Sequence, residues 1–138
     1  MPRPFRFQRQ DDPRHQIGDM KRHFPDFIYR IGRNGEMIWI GTLQPTEGSP
    51  RYRIRIVHAS GHSPRVFVDS PPLLPGVQHI YKNDALFRYC PEEWQWQAQE
   101  SLAMTIVPWT ALWLYYYELW QITGEWLGPC APHTPRKK

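Results

Sequence analysis

The chain has 138 residues, with 17 Lys and Arg against 13 Asp and Glu, a net charge of +4. That length predicts one domain whose core needs no metal or disulfide support, and the 41% apolar and 22% charged fractions exclude a wholly disordered chain. Two cysteines, Cys90 and Cys130, are too few for a disulfide framework and fit no zinc spacing. Each is read as a separate thiol in a reducing cytoplasm.

Residues 1–13 are rich in Pro, Arg and Gln and predict a loose basic arm. Met1-Pro2-Arg3-Pro4 leads into polar sequence, with no apolar stretch for a signal peptide. From Arg14 to His23, Ile17 and Met20 have helical spacing and Pro25 ends the run, which predicts a short amphipathic helix. Phe27 to Ile31 reads as a first strand. Asn34-Gly35 then signals a turn between antiparallel strands. Met37 to Leu43 is the second strand, with Met37, Trp39 and Gly41 on one face and Ile38, Ile40 and Thr42 on the other.

Tyr52 to His58 alternates cleanly. Tyr52, Ile54 and Ile56 face one way and Arg51, Arg53 and Arg55 the other, the pattern of a half-buried strand with a wet basic face. Arg65 to Asp69 is a short fourth strand, followed by extended loop with three prolines between Ser70 and Gly76. His79 to Trp96 has no sustained period and reads as irregular.

Ser101 to Thr123 is the long helical segment. Pro108 starts or kinks a helix there, Trp109, Leu112, Trp113, Tyr116 and Trp120 recur at spacings of three and four, and Gly124 stops it. The apolar run from Leu102 to Trp120 is long enough to consider as a membrane span. Its proline, threonines, Glu118 and three tyrosines favour a buried core helix. The order of helix, four-strand meander, proline loop, irregular stretch and helix is an α+β plan with helices on one face of an antiparallel sheet. The expected organisation is an arm over 1–13, a domain over 14–128 and a tail over 129–138.

The second half carries a resemblance. Phe67-Val68-Asp69-Ser70-Pro71-Pro72 runs like the last strand and proline turn of the ubiquitin-conjugating-enzyme family. His79-Ile80-Tyr81 sits where that family has His-Pro-Asn ahead of its catalytic cysteine, and Pro91-Glu92-Glu93-Trp94 matches the tryptophan that follows it. Ile106-Val107-Pro108-Trp109-Thr110, Trp113 to Glu118 and Thr123-Gly124-Glu125-Trp126 are similar to the bacterial single-domain branch, found in short type II CBASS anti-phage operons beside a cyclic-nucleotide synthase. The resemblance spans residues 25 to 133 and implies the ubiquitin-conjugating fold. Two positions depart from the pattern: Phe87 stands in the register of the cysteine, with Cys90 three residues later, and Tyr81 stands in that of the asparagine.

The resemblance implies a cysteine that carries a partner's C-terminus as a thioester. The partner is the cyclic-nucleotide synthase or a ubiquitin-like protein, and the acyl group passes to a target amine. Cys90 is the candidate carrier, since Lys82 and Arg88 nearby favour a thiolate; the alternative is a half-buried structural cysteine. Asn83 or Tyr81 could donate to the oxyanion, or could belong to a turn and to packing. His79 is a base, or holds the loop by hydrogen bonds. Cys90 as carrier predicts an accessible sulfur beside the His79 loop and Phe87 pointing inward. Phe87 equally suits a second reading, a non-catalytic module that only docks the partner.

Other features have plain readings. Cys130 and His133 could reach the site as a thiol or base, or belong to a non-catalytic tail. Trp109, Trp113, Tyr117 and Trp120 suggest either a stacking platform or core, and core is expected. Arg3, Arg6, Arg9 and Arg14 could meet nucleic acid, but Asp11 and Asp12 dilute them and no recognition motif accompanies them. Neither nucleic acid nor membrane is an expected partner, and no cofactor or metal is expected.

Overall fold

A computed structural model of the chain describes residues 13–74, 86 and 100–128. Helix α1, Pro13–His23, begins on a proline, which suits a first turn that has no N–H partner. It turns Gln16 and Met20 inward and ends on Lys21, Arg22 and His23, favourably placed against the helix dipole.

Strands β1 (Ile28–Ile31), β2 (Met37–Leu43), β3 (Tyr52–His58) and β4 (Arg65–Ser70) form one antiparallel sheet in the order β1-β2-β3-β4. The Asn-Gly signal holds. Gly35 takes φ +81° and closes the β1–β2 turn by donating to the Gly32 carbonyl. Trp39 lies opposite Ile56 and Tyr29, while Ile40 lies opposite Arg55 and Ile28. Because side chains alternate, that register puts Trp39, Ile54 and Ile56 on one face and Ile28, Ile40 and Arg55 on the other. Gly41 lets the Phe27 ring lie against β2, where any Cβ would collide with it.

Helix α2, Ile106–Thr123, covers the Trp39 face. Four residues of turn precede it, so it starts five residues later than the helical segment expected from Ser101. Pro108 falls in its first turn, and Gly124 at φ +77° closes it by donating to the Trp120 carbonyl. Ile106, Val107, Thr110, Trp113, Leu114 and Tyr117 are its buried residues. The apolar ones join Met20, Trp39, Tyr52, Ile54, Ile56, Val66, Leu86 and Leu102 in one core. Trp113 stacks on Tyr117, and Trp126 folds back onto Trp113. The aromatic stripe is therefore core, as expected. Its centre differs from the spacing argument, since Leu112 is exposed and Tyr116 only half-buried. α2 is apolar nearly all round, so several stripes of period 3.6 fit it equally well.

The architecture is α+β, with helices on one face of a four-strand sheet. Among the described residues, no helix is long and apolar enough to cross a membrane.

Candidate active site

The four candidate residues His79, Tyr81, Asn83 and Cys90 lie outside the described residues, as do Phe87, Cys130 and His133. The structure does describe the points from which the chain leaves and re-enters around them, and each is held by a specific hydrogen bond.

The first point follows β4. The Ser70–Pro71 peptide is cis, and Leu73 packs against the core. The Leu74 N–H donates to Tyr117 Oη at 2.8 Å, tying the proline loop to the buried side of α2. Burial raises the Tyr117 phenol pKa, and the Leu74 hydrogen bond offsets only part of that, so the group stays a neutral hydroxyl near neutral pH.

The second point is Leu86. Its N–H donates to the Val66 carbonyl at 2.8 Å, on the side of β4 away from β3, and its side chain is buried in the core. The position just before the family's cysteine register is thus fixed to the sheet edge. A buried leucine there uses backbone and side chain together, and the bond satisfies an acceptor on the outermost strand.

The third point is the return to α2. Gln16 of α1 is buried, and its amide is used at both ends. Nε2 donates to the Glu100 carbonyl at 2.9 Å, and Oε1 accepts from the Leu102 N–H at 2.9 Å. A buried primary amide is costly unless it is paired in this way. In effect α1 offers the incoming chain the donor and acceptor that a neighbouring strand would supply.

Glu118 is the only charged residue in α2. Its carboxylate accepts from Ser49 Oγ at 2.8 Å and Tyr52 Oη at 2.7 Å, clamping α2 to β3 and to the β2–β3 loop. Burial first, then the hydrogen bond and charge of Glu118, push the Tyr52 phenol pKa well above its ordinary value. Tyr52 is therefore a donor held in place and not a base at neutral pH.

The far face of the sheet carries a pairing within the sheet itself. Arg55 makes a two-pronged pair with Asp69, at 3.0 and 3.1 Å, and stacks over Phe67. Among the described residues, no cluster of His, Cys, Asp and Glu could hold a metal ion.

Sequence reasoning overlooked Gln16, Tyr117 and Leu86 as fasteners and treated Glu118 only as an argument against a membrane span. One signal was available: a lone carboxylate in an apolar helix needs a partner when the helix is buried.

No curated protein matches the chain at a significant level. The family model for the type II CBASS E2 protein matches residues 16–134, which covers all but the first three residues of α1, and the whole of the sheet, the three tethered points and α2. The chain belongs to the type II CBASS E2 family, E2-like proteins of anti-phage defence.

Proposed function

We propose that the protein carries an acyl group on Cys90. The thiolate attacks the activated carboxyl terminus of a partner protein, the leaving group departs, and a thioester forms. A target amine then attacks the thioester, an amide bond forms, and the thiolate is released. The partner is the cyclic-nucleotide synthase of the operon or a ubiquitin-like protein. His79 holds the loop, and Asn83 or Tyr81 donates to the oxyanion.

The observation that carries this reading is the bond from Leu86 to Val66. It anchors the chain four residues before Cys90, and four residues span at most about 14 Å. A thiol tethered so closely to a rigid sheet edge keeps a limited range of positions, as covalent transfer to an incoming tail requires. The Tyr117 and Gln16 hydrogen bonds add a fixed departure and a fixed return for the same stretch.

The test is a denaturing, non-reducing gel of the protein co-expressed with the synthase of its operon. A thiol-sensitive adduct forms with the wild type and is absent for Cys90→Ala. An adduct that persists in Cys90→Ala removes Cys90 from the role.

One observation favours a second reading. Phe87 follows the anchored Leu86 directly and occupies the register of the family's cysteine. In that case the protein only docks its partner, and Cys90→Ala leaves both partner binding and phage protection intact. Loss of protection with binding retained excludes the docking-only reading.

A further inference from the structure

The outward face of α2 has no function in the account so far. Pro108, Leu112, Tyr115 and Ile122 are exposed along it, Ala111 and Leu119 are half-buried between them, and Met104 extends the stripe into the preceding turn. Ile122 is 82% exposed, Met104 57%, Tyr115 44% and Leu112 37%. At 1.5 Å per residue, the stretch from Pro108 to Ile122 is about 21 Å long. The one charge in α2, Glu118, sits at the margin of this stripe, half-buried and bonded to Ser49 and Tyr52. A soluble helix normally turns polar residues outward; one that is apolar all round is a buried helix.

We infer that this face is covered by the same face of a second copy, with two α2 helices packed about a twofold axis. Three observations favour a copy over another partner. The face is uncharged, so pairing it with itself sets no like charges together, although each chain carries +4. A twofold interface needs a self-complementary patch, and a straight apolar stripe, with Leu112, Tyr115 and Ile122 as its ridge and the smaller Pro108 and Ala111 beside them, packs against its own reverse as ridges into grooves. The area is also suitable. The exposed apolar surface of the stripe is on the order of 500 Å², near the most that a monomer usually displays. With its rim it approaches the roughly 600–800 Å² per partner of a standard interface. The sheet's outer face is a poorer candidate for self-pairing, since Arg30, Arg53 and Arg65 are exposed there and would meet their counterparts.

The inference does not depend on Cys90 chemistry, and its test uses no partner. Sedimentation velocity on the full chain, from about 1 to 300 µM, is expected to shift from the mass of the 16.5 kDa chain to twice that mass. Ile122→Arg and Leu112→Arg each weaken the association at least tenfold, while Arg53→Glu on the sheet leaves it unchanged. Circular dichroism checks that the variants fold, and Ile122 is exposed enough to be replaced without touching the core. A wild type that stays monomeric over the whole range overturns the inference. So does a dimer that survives both arginine substitutions together. Dimerisation only after removal of 129–138 would assign the face to the chain's own terminus, and a full chain whose face is covered only when the synthase is added would assign it to that partner. Either result also overturns it.

Discussion

The two sides of α2 are almost equally apolar in sequence and have different roles. The inner side holds Trp113, Leu114 and Tyr117 against the sheet, and at its margin Glu118 fastens the helix to Ser49 and Tyr52. The outer side holds Leu112, Tyr115 and Ile122 in the open. Hydrophobicity brought the helix to the sheet but did not choose which side would face it. That choice rests on hydrogen bonds, because only one rotation of the helix lets Glu118 reach two hydroxyls and Tyr117 reach the Leu74 N–H.

The strongest way to break this contrast is Trp113→Ala. It empties a core position stacked on Tyr117 and packed against Trp126, and costs about 3–5 kcal/mol of unfolding free energy in urea titration. Gln16→Leu follows. It keeps the volume but strands the Glu100 carbonyl and the Leu102 N–H, at a cost of about 2–4 kcal/mol. Glu118→Gln removes the charge and puts an NH2 donor where one of the two accepting oxygens stood, and costs about 1–2 kcal/mol.

Tyr52 adds a pH signature. Its pKa is raised in the fold above the ordinary 10.0, so above that pH the unfolded chain loses a proton that the folded chain keeps. Stability is therefore fully present below pH 10 and falls as pH rises toward the folded pKa, and Tyr52→Phe makes that decline shallower in alkaline urea melts. Ile122→Arg has the smallest effect on the monomer, within about 0.5 kcal/mol, because nothing buried changes. Its effect appears in the mass of the assembly instead. A large destabilisation by Ile122→Arg would mean that the two sides of α2 do not differ as described.

Much of the fold was legible in the sequence. The alternation of Tyr52, Ile54 and Ile56 with arginines gave β3 its limits and its buried face, and Met37–Leu43 likewise matched β2. The Asn-Gly pair marked its turn. Periodicity could not orient α2, because a helix apolar on all sides has no preferred stripe, and Leu112 was assigned inward for that reason. Nor could spacing find Gln16, whose partners are the carbonyl of Glu100 and the N–H of Leu102. Backbone partners leave no trace in residue type. The family was legible in Thr123-Gly124-Glu125-Trp126, where a turn and an aromatic return are coupled: Gly124 closes α2 and Trp126 packs on Trp113. His79, Tyr81, Asn83 and Cys90 lie outside the described residues.

The central claim is that Cys90, four residues beyond the anchored Leu86, forms a thioester. Replacing its sulfur with oxygen tests this most directly. Co-expressed with the proposed partner synthase and analysed by intact mass, Cys90→Ser is expected to accumulate an adduct of both chains less one water. That adduct should resist thiols and be cleaved by hydroxylamine, as an oxygen ester is. Peptide mapping should place the junction at residue 90. A junction at any other residue, or a wild-type adduct joined at residue 90 that thiols do not cleave, would contradict the account.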